Sequence, residues 1–220
     1  RPIQALKARV WVKQGELEKS LNWARERKLS IEEDPSYLRE FEGITFARIL
    51  LSQYQNDDSI SSLHDAIGLL ERLLIAAEEG GRNGSVIEIL ILLAFAHQMQ
   101  DDIPTALTLL ERALKLAEPE GYMRIFLAEG ASMAELIREI DSRGILPNYT
   151  GRLLSAFEAE RKGLDVESPP SAEPASSSLI EALSQRELDL LRLFKTELSG
   201  PEIAQELAIA LSTVRTHTKS

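Results

Sequence analysis

The sequence predicts an all-α protein: a superhelical stack of helix pairs, followed by a linker and an incomplete helix-turn-helix. Three observations lead there. Leucine and alanine are abundant while aromatic residues make up only 5% of the 220 residues, and no run alternates apolar and polar positions as a half-buried strand would. A fourteen-residue segment, Ala66-Ile-Gly-Leu-Leu-Glu-Arg72 and onward, recurs forty residues later as Ala106-Leu-Thr-Leu-Leu-Glu-Arg112. The last forty residues, finally, carry two helix-start devices and the beginning of a third helix.

The recurrence identifies the second helices of helix pairs, with a fainter copy at Ser20-Leu-Asn-Trp-Ala-Arg25. Their first helices align as well: Ala8-Arg9, Ala47-Arg48 and Ala94-Phe95 each stand six residues before a glutamine, at Gln14, Gln53 and Gln100. A small residue at each of these positions lets neighbouring helices approach closely, as tetratricopeptide-like pairs require. One such pair cannot bury its own apolar face, whereas stacked pairs can. The interval from first-helix alanine to second-helix small residue is twelve in the first and third copies but nineteen in the second, so seven extra residues lie around Asn56 to Ser62. They are expected as a longer turn or a helix extension.

In order, helices are expected at 3–13, 16–28, 36–54, 60–79, 85–99, 103–117, 122–128, 130–142 and 148–162. Asp34-Pro35 reads as a start and Gly80-Gly81 as a stop, and Pro119, Gly121, Gly144 and Pro147 punctuate the last three. Residues 163–178 hold three prolines and five serines with few apolar side chains, the composition of a linker. The domain reading is therefore a helical repeat at 1–162, a Pro/Ser-rich linker at 163–178 and a DNA-binding segment at 179–220.

That last segment starts with a capping box, Ser184-Gln-Arg-Glu187, in which the serine accepts from the Glu187 amide and the glutamate reaches back to the serine amide. Leu183 and Leu188 are placed as its hydrophobic staple. A second box, Ser199-Gly-Pro-Glu202, has its proline in the first turn, where the missing N–H is not needed. A third helix begins near Ser212-Thr-Val-Arg-Thr-His217. Helix, short turn, helix is the arrangement that places a recognition helix in the major groove.

The residues Leu183-Ser-Gln-Arg-Glu-Leu188, Glu202-Ile-Ala204, Leu207-x-Ile209 and Thr213-Val-Arg-x-His217 closely resemble the LuxR-type helix-turn-helix, over about two thirds of such a domain. The resemblance implies that Arg215, Thr216 and Lys219 face the groove, with Val214 and Thr218 on the inner side and Thr213 and His217 near phosphates. An arginine there can hold guanine O6 and N7 bidentately, while lysine supplies a point charge. Ala210 stands where the family usually has a capping serine, and Gly200-Pro201 where polar or basic residues are usual. The sequence breaks off at Ser220 inside the recognition helix, so the chain reads as a fragment and is expected to bind DNA poorly as it stands.

The repeat segment, from Leu69-Leu-Glu-Arg72 through Ala94 and on to Glu129-Gly130, also resembles the helical region that precedes the helix-turn-helix in the large ATP-binding, MalT-like group of the LuxR family. This implies a nucleotide-switch domain upstream and an effector-binding superhelix in residues 1–162.

Formal net charge is −10, which argues against a general nucleic-acid coat. Residues 179–220 are nearly balanced at five basic and six acidic groups, so the acid lies mainly outside the DNA segment. With no cysteine there is neither a disulfide framework nor a thiolate metal site. The longest apolar stretch, Val86 to Ala96, contains Glu88 and is far too short to cross a bilayer. A cytoplasmic protein without membrane attachment is expected.

Gly80-Gly-Arg-Asn-Gly-Ser85 follows a helix rather than a strand and lacks a Gly-Lys-Ser/Thr ending, so it reads as an interhelical turn rather than a phosphate loop. His64, His97 and His217 lack ligand spacing, so no metal site is expected, and no cofactor is expected in this chain. Glu88 is read as sitting on the solvated side of an otherwise buried helix, the alternative being a ligand groove opposite Arg48. Trp11, Trp23, Tyr37, Phe41, His97 and Tyr122 are read as core rather than as a pocket lining. No catalytic framing is present, and the chain is not expected to be an enzyme. Two functions compete: a transcriptional regulator whose repeat domain senses an unknown small-molecule or protein effector and whose partner is double-stranded DNA, with homo-oligomerisation open, and a tetratricopeptide-like interaction scaffold without DNA binding. The motif order favours the first.

Overall fold

In the computed structural model, residues 3–164 are described, with side chains through residue 161. The described residues are helical and include no strand: α1 (Ile3–Lys13), α2 (Leu17–Glu26), α3 (Glu40–Asp57), α4 (Ile60–Glu79), α5 (Asn83–Met99), α6 (Ile103–Ala117), α7 (Arg124–Leu127), α8 (Ala131–Ser142) and α9 (Pro147–Leu164). They fall in one compact unit, Arg1–Glu167; a second unit, Ser168–Ser220, holds the linker and helix-turn-helix positions, which lie outside the described residues. Helices α1 and α2, α3 and α4, α5 and α6, and α8 and α9 pack as pairs, and successive pairs stack through α1 and α2 on α3 and through α4 on α5.

The repeat register is borne out by burial. Ala8, Ala47 and Ala94 on the first helices, and Ser20, Ala66 and Ala106 on the second, are all fully buried. Any larger side chain at these points would hold the helices apart. The seven extra residues of the second copy are helix extension. The left-handed turn residue that ends the first helix comes one position after the aligned glutamine in the first and third copies, at Gly15 (φ 74°) and Asp101 (φ 59°). In the second copy it comes five positions after, at Asp58 (φ 53°), which lengthens α3 by four. Helix α4 begins six residues before Ala66, whereas α2 and α6 begin three before Ser20 and Ala106, which accounts for the other three.

Helix ends share one device. Amides five residues on close back to the carbonyls of Trp11, Ala24, Ala77, His97 and Ala117, as from Arg82 to Ala77 at 2.9 Å and Tyr122 to Ala117 at 3.1 Å. That closure needs a left-handed residue just before the donor, supplied by Gly81 (φ 62°) and Gly121 (φ 66°). At the start of α6 the Asp102 carboxylate accepts from the Thr105 amide at 3.2 Å, with Pro104 in the first turn. This bond holds the Asp102 carboxyl below its ordinary range.

The structure moves one helix start. Helix α3 begins at Glu40 rather than near residue 36, because Arg39 is drawn out of a helical first turn: its guanidinium pairs with Glu33 and Glu42 and donates to the Arg27 carbonyl at 2.9 Å. Ser36–Arg39 instead makes a turn closed by the Arg39 amide on the Ser36 carbonyl.

The main core runs from α3 to α9 and is dominated by α5, whose Val86, Ile87 and every residue from Ile89 to Ala94 are buried. A helix apolar all round is a helix covered all round. A smaller cluster of Ala5, Ala8, Trp23, Ala24 and Ile49 ties α1 and α2 to α3. At the other end the buried Tyr149 meets the Phe126 ring edge-on at 6.4 Å and donates its hydroxyl to the Tyr122 carbonyl. Burial pushes the Tyr149 hydroxyl up to about 12.

Candidate regulatory face

The first helices α1, α3 and α5 bring four charged side chains into one chain of alternating sign. Arg9 of α1 donates to Glu88 Oε1 of α5 at 2.6 Å. Arg48 of α3 donates to the same oxygen at 3.0 and 3.2 Å. Its other edge grips Glu129, just past α7, with both carboxylate oxygens engaged at 2.6 and 3.0 Å. All four are largely sequestered, with side-chain exposures from 11% for Glu129 to 19% for Arg9. Charges this buried must be paired.

The repeat dictates this arrangement. Arg9 and Arg48 each follow the crossing alanine of their helix by one residue, and Phe41 and Glu88 each precede the crossing alanine of the next first helix by six. The Arg9 guanidinium lies 3.9 Å from the Phe41 ring centroid, so Phe41 stands to Arg9 as Glu88 stands to Arg48. One pairing is cation–π and the other ionic, on the same geometry. Arg9 also donates to Thr45 at 2.8 Å, and Thr45 in turn donates to the Phe41 carbonyl at 2.7 Å.

Burial alone would lower the Arg48 pKa. The hydrogen bonds and charge of Glu129, and then the charge and hydrogen bond of Glu88, outweigh it and hold the guanidinium above the ordinary arginine range. Arg48 is therefore a fixed cation.

This overturns the expectation that Glu88 faces solvent. The helix that carries it has no solvated side, and the carboxylate is tolerated because two arginines meet it. The alternative, a position opposite Arg48, is what the structure shows. The aromatic expectations divide. Trp23 is core, and Trp11 and Phe41 are half-buried against the small N-terminal cluster. Tyr37 and Tyr122, expected as core, are exposed at 73% and 40% on loops between pairs.

The glycine-rich segment is an interhelical turn, as expected from its context, and it has a structural task. Arg82 Nε donates to Glu40 at 2.7 Å and Ser85 donates to the other Glu40 oxygen at 2.5 Å, so the turn clamps the buried carboxylate that starts α3. Gly80 makes room for that arginine, since a Cβ there would fall 1.6 Å from the guanidinium.

Among the described residues no cluster of His, Asp and Glu could hold a metal ion, and no helix is long and apolar enough to cross a membrane. The DNA-contact candidates Thr213, Arg215, Thr216, His217 and Lys219 lie outside the described residues. The face itself can hold and release charge, and offers no nucleophile set beside a base.

The repeat register, the stacked pairs and the shared first-helix face agree with sequence comparison, in which residues 1–143 match the family model described as the MalT-like TPR region. The chain belongs to that family. Residues 181–220 match a second model, described as bacterial regulatory proteins of the luxR family. Among curated proteins the chain is similar to the HTH-type transcriptional regulator MalT of Serratia proteamaculans (strain 568), at 24% identity over 223 residues. That alignment takes in 96% of this chain and 24% of the relative, so the chain spans about a quarter of its length. No solved structure matches the chain. Membership of the MalT-like TPR region family locates the Arg9–Glu88–Arg48–Glu129 chain within that region, all four residues falling inside the matched span.

Proposed function

We propose that this chain is part of a DNA-binding transcriptional regulator, in which residues 1–162 sense a small-molecule or protein effector and residues 179–220 contact the major groove, joined by a linker at 163–178. The observation that carries this reading is the order of the two family matches on one chain, a MalT-like TPR region followed by a luxR-family segment. The relative with both features is named a transcriptional regulator. Arg215, Thr216 and Lys219 are the proposed groove contacts and Thr213 and His217 the proposed phosphate contacts. The protein is proposed to be cytoplasmic and to need no cofactor in this part, with oligomerisation as one route by which an effector would act.

A mobility-shift titration of the full-length polypeptide on a specific and a random duplex, at several salt concentrations, tests the reading. Arg215→Ala should cost about 1–3 kcal/mol on the specific duplex and relax preference at one base position. Loss of a phosphate contact would instead weaken both duplexes alike and reduce the salt slope by about one. An unchanged ratio between the two duplexes would remove Arg215 from the base-reading set, and no binding to either would favour the scaffold reading.

A further inference from the structure

We propose that the segment Ala128–Gly130 is a strap, fastened across the first-helix face at two points, whose release loosens α8 and α9 from the first two repeats. The inference rests on the reading of residues 1–162 as a sensing domain and adds the device by which an event on that face would reach the C-terminal side of the repeat.

The two fastenings come from opposite directions in sequence. Arg48 of α3 holds the Glu129 carboxylate with two parallel bonds at 2.6 and 3.0 Å across 81 residues. Lys13, the last residue of α1, donates to the Ala128 carbonyl at 2.8 Å across 115 residues. Neighbouring residues of one short segment are thus pinned to two different helices at the far end of the unit. The strap has little structure of its own, since α7 before it is a single turn of four residues.

Its other end is a hinge. Gly130 sits at φ 75°, ψ −152°, a region only glycine occupies without strain, and it is the residue from which α8 starts. A Cβ there would meet nothing within 4 Å, so the requirement is one of backbone conformation rather than space. A rotation at Gly130 swings α8, and α8 packs on α9, from whose end the chain continues toward the luxR-family segment.

Arg48 is also the point at which the strap is read by the rest of the face. Its guanidinium is shared between Glu129 and Glu88, and Glu88 in turn holds Arg9. A ligand or partner that draws Arg48 toward itself withdraws it from Glu129. The pair is charge-assisted and bidentate, hence directional, and a small displacement breaks both bonds together.

Hydrogen exchange on the full chain, without DNA, tests this for Glu129→Gln, Lys13→Gln and the double variant. Each single change should raise exchange in residues 124–131 by about tenfold and carry α8 with it, while amides of α6 keep their protection. The double variant should go little further than Glu129→Gln, because both contacts hold one segment. Lys13 is exposed, so its substitution reports on the strap without disturbing the core. Unchanged exchange at 124–131 in both single variants would overturn the strap. A uniform rise across all helices would reduce Glu129 to an ordinary stability contact, and a released strap with α8 unmoved would overturn the coupling. None of these readouts involves DNA, so a failure of the DNA-binding reading leaves the strap's result standing and the reverse holds as well.

Discussion

Helices α1 and α5 hold the same place in their repeats and live in different surroundings. Ile89, Leu92 and Ala96 of α5 are buried, and the equivalent positions of α3, Glu42, Thr45 and Ile49, are buried too. The corresponding residues of α1, Ile3, Leu6 and Val10, are exposed at 79%, 41% and 50%. The side of a first helix that receives the preceding pair is covered in α3 and α5 and uncovered in α1. In a stack of repeats, then, position in the stack rather than composition alone decides what an apolar side chain contributes, because each unit is stabilised by its neighbours.

The same contrast appears in the charges. Glu88 of α5 is the middle of the buried chain and serves two arginines, whereas Arg9 of α1 is its end. Replacing Glu88 by alanine leaves two guanidinium groups without their shared carboxylate and should cost about 3–5 kcal/mol in denaturant unfolding. Arg9→Ala should cost distinctly less, since Glu88 keeps Arg48. Equal costs would mean that the two ends of the chain are equally committed, and would break the comparison.

The crossing alanines sharpen it. Leucine at Ala94 has no room on either side and should destabilise by about 1–3 kcal/mol. Leucine at Ala8, also fully buried, should fall at the low end of that range, because α1 can shift toward its open side. A denaturation midpoint unmoved by Ala94→Leu would count against the repeat alignment itself.

How legible this was in the sequence depends on the range of the information. Helix existence, the Ala8, Ala47 and Ala94 register and the turn at Gly80-Gly81 came from local pattern and from self-similarity, and all of these hold. Where seven extra residues went followed only from the positions of left-handed residues, which the sequence marks with a glycine at Gly15 but hides at Asp58 and Asp101. The start of α3 was misplaced because a proline signal says nothing of an arginine that pairs elsewhere. Glu88 was misread because its partners lie 40 and 79 residues away. One signal was present: the offset that sets Phe41 against Arg9 also sets Glu88 against Arg48, and a repeat that conserves geometry can exchange a ring for a carboxylate. Glu129 lies beyond the three aligned copies, and nothing local pointed to it. The helix-turn-helix positions were legible by motif alone.

Native-state hydrogen exchange along α1 and α5 of the unmodified chain addresses the central contrast most directly. Amides of α5, covered all round, should exchange only through global unfolding and define the slowest class in the repeat domain. Amides of α1 should exchange through local opening at lower free energy, with those nearest Ile3 fastest. Protection in α1 equal to that in α5 would contradict the account, since it would show that a first helix covered on one side is held as firmly as one covered on both.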